Sequence, residues 1–560
     1  MNGEFAITSD CRILRQVKVP MRDGIELATT VYLPLEEGIY PTVLIRSAYN
    51  RIYSYDPYFP MHGMALVIQD CRGRYDSDGE FYPFINEEND GFDALEWVGS
   101  QPWCDGNVGM QGNSYLAATQ FSAALSGSPY LKALNPLFMA GDYWKQAYYS
   151  SGVFSLALTW SWFCFEVASR ASHAIEMPML DVSATLKCLP ISKLDEISGS
   201  GIVPFYKDYV AHGSYGPFWE KLGIRNNYDK FKMPVLLVGG WYDYYPGETT
   251  ENFLGLLASA DSKELAESHR MIIGPWTHGM APTSVLGELD FGDDALTEND
   301  CTHRWLECIL KGRLASEFQQ APIRLFVMGA NLWRDEYEWP LNRTQYVDYY
   351  LHQGSSLSTQ MPSDEKPDSY IYDPEHPVPT LGGNHSVGSY NPGLYDFVKP
   401  GPYDQRPIEQ RDDVLVYTSE ALKKDVEVTG PIVVKLHVST TVTDTDFVAR
   451  LTDVYPDNRS MNITEGVIRM RFKDNVHGQP KLIEPGRTYQ ITIELLPTSN
   501  LFKAGHCIRL QITSSNFPLW DRNLNTGEDP GTGTRMQTAR QTVYHDAIRV
   551  SCITLPIVDS

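Results

Sequence analysis

The sequence lacks the features of a membrane protein. It contains no apolar run of about 18 residues, the length that a membrane-spanning helix needs. Residues 1–16 contain no apolar stretch of signal-peptide length. Basic residues are also scarce, since 46 lysines and arginines against 70 aspartates and glutamates leave a formal net charge of −24. Such a charge argues against nucleic acid or an anionic membrane surface as partner, and we expect a cytoplasmic protein.

Paired cysteine motifs are missing as well. The nine cysteines include no C-x-x-C pair and are odd in number, which is typical of free, mostly buried thiols in a reducing compartment. Cys301 and Cys308 are spaced so that they can share a helix face, and two core thiols are favoured there over a metal site. We expect no metal and no other cofactor.

Two groups of aspartates are alternative candidates for a cation site. Asp70, Asp76 and Asp78 surround Cys71-Arg72-Gly73, where a turn after a strand, tied by an Arg–Asp pair, is the favoured interpretation. The second group is interpreted as solvated strand and turn carboxylates, with calcium as the alternative; its members are Asp444, Asp446, Asp453 and Asp457.

The length and the apolar pattern predict several domains. A chain of 560 residues with 42% apolar and 21% charged residues is globular and too long for one core. Strand-like apolar runs alternate with helix-like segments, which predicts a parallel sheet of βαβ units. The runs are Thr42–Arg46, Ala65–Gln69, Val108–Met110, Leu131–Phe138, Val235–Val238 and, as the expected last strand, Arg270–Ile273. A helix is predicted over Asp90–Gly99.

The alternation breaks twice. Residues 142–230 are rich in aromatic side chains and helix-like, which predicts a helical insertion over the site, here called the cap. After about Gln345, short alternating segments separated by turn residues predict an antiparallel sandwich such as a jelly roll. The predicted fold class is α/β: an α/β-hydrolase core (1–141 and 231–344), the inserted helical cap (142–230) and a C-terminal all-β jelly-roll domain (345–560).

Ser114 is the candidate nucleophile. Gly112-Asn113-Ser114 is a tight turn between the apolar run Val108–Met110 and a segment of helix formers, an arrangement typical of the nucleophile elbow of α/β-hydrolases. The general pattern has glycine two residues after the serine, where Leu116 stands. A serine at this place is also an ordinary helix N-cap, which is the alternative interpretation.

Asp243 and His278 complete a candidate catalytic triad. Each follows the end of a predicted strand, and the chain order Ser, Asp, His is that of α/β-hydrolases. A serine hydroxyl needs a histidine to take its proton, and a buried carboxylate fixes the histidine tautomer.

The motifs around these residues resemble those of the CocE/NonD hydrolases, a family that includes bacterial cocaine esterase, X-Pro dipeptidyl-peptidases, α-amino acid ester hydrolases and glutaryl-cephalosporin acylases. The resemblance covers nearly the whole chain. It is carried by Gly112-Asn113-Ser114-Tyr115, Gly240-Trp241-Tyr242-Asp243, Gly274-Pro275-Trp276-Thr277-His278, Gln69-Asp70-Cys71-Arg72-Gly73-Arg74 and Ser515-Asn516-Phe517-Pro518.

The resemblance implies a serine hydrolase that cleaves carboxylic esters through an acyl-enzyme. It also implies an oxyanion hole made by the Tyr49 hydroxyl and the backbone N–H of Tyr115. One departure is Ala117, where the family usually has glycine. The implied partner is a small-molecule ester or amide substrate, and edge pairing of jelly-roll strands would allow a homodimer.

Specificity is open at this point. The α-amino acid ester hydrolases carry carboxylates just after the catalytic aspartate, whereas here Tyr244, Tyr245 and Pro246 follow Asp243. Tyr245, with Tyr148 and Trp162 of the cap, is therefore predicted to form an apolar or aromatic acyl pocket. Amide cleavage, as an acylase or X-Pro dipeptidyl-peptidase, is the alternative on the same scaffold. A non-catalytic binding protein is the alternative from another class.

Overall fold

The computed structural model of the chain describes residues 6–171, 180–298, 300–313, 321–385 and 398–558. An α/β-hydrolase core is followed by an all-β domain, and short helices are inserted between the two halves of the core. The strands of residues 1–344 are β1 (Ala6–Ile7), β2 (Arg12–Pro20), β3 (Glu26–Leu33), β4 (Tyr40–Ser47), β5 (Ala65–Asp70), β6 (Cys104–Asn113), β7 (Leu131–Leu137), β8 (Tyr149–Ser150), β9 (Val153–Phe154), β10 (Leu236–Gly240), β11 (Arg270–Gly274), β12 (Val285–Leu286), β13 (Leu289–Asp290), β14 (Ile323–Val327) and β15 (Leu332–Glu336).

The core is built on an eleven-stranded sheet of order β1-β2-β3-β5-β4-β6-β7-β10-β11-β14-β15. From β5 to β14 neighbouring strands are parallel, and the strands at both edges are antiparallel. Central strands such as β10 and β11 are buried along their whole length, because layers cover both faces of a parallel sheet. The carboxyl ends of β6, β10 and β11 therefore meet at one edge.

The prediction that Arg270–Ile273 is the last strand is wrong. β14 pairs with β11 in parallel, and β15 then pairs with β14 antiparallel. The apolar run of β14 is only five residues long and contains Arg324. Such a short, interrupted run is a weak signal of a central strand.

The helices lie mostly between the sheet strands and in the cap. They are α1 (Tyr58–Met61), α2 (Glu87–Gly99), α3 (Tyr115–Leu125), α4 (Leu156–Ser161), α5 (Val182–Leu186), α6 (Leu194–Ile197), α7 (Pro204–Ala211), α8 (Pro217–Glu220), α9 (Pro246–Ser259), α10 (Lys263–Ser268), α11 (Cys301–Leu310) and α12 (Arg406–Glu409). α2 begins at Glu87, three residues before the predicted start, so Glu87, Glu88 and Asp90 all lie in its first turn, where the helix dipole favours carboxylates. Within the described ranges, no helix has both the length and the apolar character needed to cross a bilayer.

The cap is less regular than a purely helical insertion. Besides α4 to α8 it contains two π-helical turns, Tyr143–Tyr148 and Trp162–Glu166, and the hairpin of β8 and β9. Its interior is aromatic: the rings of Phe163 and Tyr209 meet at 4.7 Å and those of Tyr209 and Trp219 at 5.1 Å. Ring packing of this kind favours edge-to-face contacts.

The C-terminal domain is a jelly roll of antiparallel strands around an aliphatic core. Among the described strands of this domain, neighbours are antiparallel except for one parallel pairing, of Ser356–Ser358 with Leu415–Thr418. Its strands are β16 (Thr344–His352), β17 (Ser356–Ser358), β18 (Asp368–Tyr372), β19 (Leu415–Thr418), β20 (Val426–Thr440), β21 (Asp446–Val454), β22 (Ser460–Arg469), β23 (Tyr489–Phe502), β24 (Cys507–Thr513), β25 (Ala539–Tyr544) and β26 (Cys552–Val558).

Buried, hydrogen-bonded carboxylates occupy three of the positions where solvated carboxylates were predicted in this domain. Asp444 accepts from Arg471 at 2.7 Å and Asp446 accepts from Arg469 at 2.8 Å, while Asp453 lies 2.8 Å from the Nδ1 atom of His506. These three aspartates are buried, and Asp457 alone of the four is exposed. The prediction is therefore wrong for three of the four, because arginine and histidine side chains satisfy them inside the fold.

The core, the cap and the jelly roll meet at Asp142. One carboxylate oxygen of Asp142 accepts hydrogen bonds from Arg225 of the cap at 2.9 Å and from His477 of the jelly roll at 3.0 Å. Burial alone would raise the pKa of Asp142, but the hydrogen bonds from His477 and Arg225 lower it to about 2. Glu248 at the start of α9 accepts hydrogen bonds from the backbone N–H groups of Gly141 and Asp142.

Candidate active site

Ser114 lies at the sharp turn between β6 and α3 and has φ 60° and ψ −120°. Positive φ is costly for a residue with a side chain and persists only where its surroundings hold it. Here the backbone N–H of Ser114 donates to the Leu137 carbonyl at 3.0 Å. The Ser114 side chain makes no capping hydrogen bond to α3, so the hydroxyl is not used as an ordinary N-cap.

Gly112 leaves room for the Leu116 side chain at the elbow. Gly112 has φ 150°, and a Cβ placed on it would lie 2.4 Å from the Cβ of Leu116. A residue with a side chain at position 112 would therefore clash with Leu116.

Asp243 and His278 lie beyond the carboxyl ends of β10 and β11, on the edge where Ser114 lies. The Nδ1 atom of His278 is 2.9 Å from the Oδ1 atom of Asp243, and both side chains are buried. A carboxylate on Nδ1 leaves Nε2 as the nitrogen that can take a proton. The side-chain amide of Asn113 donates to the backbone carbonyl of His278 at 3.1 Å, which ties the elbow to the loop of the histidine.

Tyr49 follows β4, and its hydroxyl lies next to the Ser114 side chain. Burial, with the nearby charge of Glu166, raises the pKa of Tyr49 above its ordinary value. The phenol is therefore a neutral donor at any pH near 7. The indole Nε1 of Trp162 donates to the Tyr49 oxygen at 2.8 Å.

Tyr115 is the first residue of α3, so its backbone N–H belongs to the unpaired donors of a helix N-terminus. Its own hydroxyl donates to Glu87 at 2.7 Å and accepts from the backbone N–H of Phe84 at 3.1 Å. Glu87 in turn forms a buried ion pair with Arg46 of β4. Glu87 is not predictable from the sequence, because it precedes the predicted start of α2 and no local pattern links it to Tyr115.

The three predicted pocket residues lie around this centre. The ring of Tyr245 meets that of His278 edge-on at 5.6 Å, and the ring of Trp162 lies 5.7 Å from that of Tyr115. Tyr148 stacks on Phe163 at 5.4 Å and meets the ring of Tyr209 edge-on at 4.7 Å.

The site contains groups for nucleophilic and acid–base chemistry. Among the residues that the structure describes, no group of three or more histidine, cysteine or carboxylate side chains is arranged to hold a metal ion. What the site brings together is a strained serine, a histidine–carboxylate pair and a neutral phenol donor.

Two segments of the chain match known protein families. The X-Pro dipeptidyl-peptidase (S15 family) matches residues 23–280, and the X-Pro dipeptidyl-peptidase C-terminal non-catalytic domain matches residues 316–554. The cocaine esterase of Rhodococcus sp. (strain MB1 Bresler) is 35% identical, and the alignment covers 100% of both chains.

Solved structures show the same fold over the full length. An aminopeptidase from a marine sediment archaeon, Thaumarchaeota archaeon, has a TM-score of 0.88 at 24% identity and covers 100% of this chain and 99% of its own. An α-amino acid ester hydrolase has a TM-score of 0.87 at 23% identity, covering 99% and 98%. The full-length match to cocaine esterase, together with the match to the S15 family, shows that the chain belongs to the CocE/NonD family of serine hydrolases.

Proposed function

We propose that the chain hydrolyses carboxylic esters, with Ser114 as nucleophile, His278 as general base and Asp243 as the carboxylate that orients it. One observation carries the proposal: Ser114 is held at φ 60° at the carboxyl edge of the sheet, next to the neutral Tyr49 phenol. A strained, partly exposed serine beside a preorganised donor is what acyl transfer requires.

The proposed reaction has two halves. In the first, the Ser114 oxygen bonds to the ester carbonyl carbon while His278 Nε2 takes the hydroxyl proton. The tetrahedral oxyanion accepts hydrogen bonds from Tyr49 and from the Tyr115 N–H, and the alcohol leaves with the proton from His278. In the second, water adds to the acyl-enzyme by the same proton route and releases the carboxylic acid and the free serine.

The surroundings of Asp243 disfavour α-amino acid esters as substrates. Tyr244 and Tyr245 follow Asp243, and both are buried. The nearest following carboxylate, Glu248, accepts the backbone N–H groups of Gly141 and Asp142, so it is committed to the junction of the core and the cap. A substrate ammonium would lack a carboxylate from this segment.

We propose that Tyr148, Trp162 and Tyr245 form the acyl pocket and that it favours an aromatic acyl group. Edge-to-face contacts between such rings and an aromatic substrate are favourable. The similarity to cocaine esterase supports an ester as the scissile bond. We also propose the domain limits: residues 1–141 and 231–344 for the core, 142–230 for the cap and 345–560 for the jelly roll.

Amide cleavage is the second candidate, because residues 23–280 match the X-Pro dipeptidyl-peptidase (S15) family. Esters and amides pass through the same tetrahedral intermediate, so the triad does not distinguish them. The difference lies in the pocket for the leaving group.

The test is turnover of a substrate panel near neutral pH by the unaltered chain and by Ser114→Ala. The panel contains short-chain and benzoyl nitrophenyl esters, a glutaryl amide, an α-amino acid ester and an X-Pro anilide. We expect ester turnover that Ser114→Ala abolishes, with the benzoyl ester preferred. Preference for the glutaryl amide or the anilide would keep the triad and overturn the ester assignment. If no turnover depended on Ser114 and a fluorophosphonate did not label the chain, the alternative of a non-catalytic binding protein would be favoured.

A further inference from the structure

The Tyr49 hydroxyl is oriented from another part of the chain. Tyr49 belongs to the core, whereas its hydrogen-bond donor, Trp162, belongs to the cap, 113 residues further along. An indole N–H can only donate, and a phenol oxygen can both donate and accept. In the Trp162–Tyr49 hydrogen bond, at 2.8 Å, the tyrosine oxygen is therefore the acceptor.

This assignment fixes where the tyrosine proton can point. The Trp162 hydrogen occupies one lone-pair direction of the Tyr49 oxygen, so the O–H bond is directed away from the indole. The Ser114 side chain is among the groups next to the Tyr49 hydroxyl, and the O–H bond is free to point to it. A hydrogen bond accepted by the oxygen also polarises the O–H bond and strengthens the bond that it donates. Both effects favour donation to a negative oxygen that forms on the Ser114 side.

The Trp162 ring is held firmly enough to act in this way. It is the first residue of the π-helical turn Trp162–Glu166, and single π-turns occur frequently at functional sites. Its ring lies 4.9 Å from that of Phe163, 5.7 Å from that of Tyr115 and 6.0 Å from that of Phe84.

A second contact joins the same two segments. The buried guanidinium of Arg74 donates to the carbonyl of Ala48, the residue before Tyr49, and to the carbonyl of Glu166, the last residue of the π-turn, at 2.8 Å each. It also donates to the carbonyl of Ser169. One side chain thus fixes the distance between the segment that carries Tyr49 and the segment that carries Trp162.

We propose that Trp162 is a positioning residue that directs the Tyr49 hydroxyl toward the oxyanion, so the cap completes the oxyanion hole of the core. The inference rests on the proposed function. It adds to the pocket role proposed for Trp162 above, since the indole ring can contact the acyl group while the indole N–H acts through Tyr49.

The test is a double-mutant cycle on Trp162 and Tyr49, read as kcat and KM for a short-chain and a benzoyl nitrophenyl ester. Tyr49→Phe should lower kcat by about 100- to 1,000-fold, the usual effect of losing one oxyanion donor. Trp162→Phe should lower kcat by about 3- to 10-fold for both esters, the effect of one neutral hydrogen bond, with little change in KM. In the Tyr49→Phe background the same change should alter kcat by less than about twofold.

A single-atom variant guards against misfolding of Trp162→Phe. Benzothienylalanine at position 162 keeps the shape of the bicyclic ring and replaces its N–H by sulfur, and we expect the same loss of kcat. Two results would overturn the positioning role and leave Trp162 as a pocket residue only. One is an equal loss of kcat with and without the Tyr49 hydroxyl, and the other is an unchanged kcat with a higher KM for the benzoyl ester alone.

The two proposals fail in different ways. An unaltered chain without Ser114-dependent turnover would remove the proposed function and this inference with it. An active unaltered chain whose Trp162 and Tyr49 losses multiply independently would overturn the inference alone.

Discussion

The side-chain amide of Asn113 donates a hydrogen bond to the backbone carbonyl of His278 at 3.1 Å. Asn113 precedes the proposed nucleophile, and His278 is the proposed base, so this bond joins the two loops whose relative position acyl transfer depends on. Small displacements of reacting groups cost orders of magnitude in rate. Asn113 therefore acts on the geometry of the site without needing to touch substrate.

Asn113→Ala should lower kcat about 3- to 10-fold, because one neutral hydrogen bond is lost. Asn113→Asp keeps the shape of the side chain but turns a donor into an acceptor that faces a carbonyl, so its loss should be larger. Steady-state kinetics on a nitrophenyl ester would measure both. Equal activity of the two variants and the unaltered chain would contradict the role of the bond.

Tyr115→Phe should reduce stability and turnover together. The change removes the hydroxyl that donates to Glu87 and accepts from the Phe84 N–H, which leaves two buried polar groups without that partner. We expect the free energy of unfolding to fall by about 1–3 kcal/mol and kcat to fall several-fold, since the Tyr115 N–H is the second proposed oxyanion donor.

The matched control for Tyr115→Phe is Tyr143→Phe, a buried tyrosine whose ring also stacks on Phe84, at 4.6 Å. Urea unfolding and ester kinetics would compare the two variants. A kcat for Tyr115→Phe no lower than that for Tyr143→Phe would show that the Glu87 contact does not position the N–H.

Glu248 should make stability fall as pH rises. Burial, with the neighbouring charges of Glu251 and Asp142, raises the pKa of Glu248 from 4.5 to about 8. A raised folded-state pKa means that the native chain holds the proton more tightly than the unfolded chain, so the stabilisation is complete below pH 4.5 and is lost as pH rises through about 8.

Glu248→Gln cannot titrate, so the difference in unfolding free energy between the unaltered chain and this variant should shrink between pH 5 and about pH 8. Urea unfolding at unit pH steps would measure it. Glu251→Gln, on the same helix, separates the loss of a neighbouring charge from the titration of Glu248. A difference that stayed constant or grew with pH would refute the assignment.

Arg469→Leu should be strongly destabilising. The Arg469 guanidinium donates to Asp446 at 2.8 and 2.9 Å and to Asp521 at 3.0 Å, and all three side chains are buried. Its removal would leave two buried carboxylates without their cation, which typically costs about 3–5 kcal/mol.

The matched control for Arg469→Leu is Arg459→Leu, because Arg459 pairs with the exposed Asp457 and exposed pairs contribute little. Chemical unfolding of the two variants would compare them. Similar midpoints would show that burial does not govern the strength of these pairs.

The sequence was informative where a local pattern determines the structure. Apolar runs place β4 to β7, β10 and β11. Ser114, Asp243 and His278, which follow β6, β10 and β11, lie at the carboxyl edge that the parallel arrangement requires.

Contacts between distant residues left no such pattern. In the sequence Arg74 is only the last residue of a family motif, yet its guanidinium donates to the carbonyl of Glu166, 92 residues away. Trp162 was predicted as a pocket residue. Its hydrogen bond to Tyr49 depends on a π-turn that the spacing of residues in the sequence does not predict. Tyr49 itself was found through family resemblance, since an aromatic residue after a strand has no distinctive local signal.

The carboxylate of Asp142 limits how this protein can be recombined with others. One of its oxygens is shared by Arg225 of the cap and His477 of the jelly roll. A chimera with a different jelly roll must supply an equivalent hydrogen-bond donor to that oxygen, because a buried carboxylate without its partner destabilises the folded protein. The C-terminal domain is therefore not a freely exchangeable module, and crossover points for a chimera are best chosen so that Asp142, Arg225 and His477 come from the same parent.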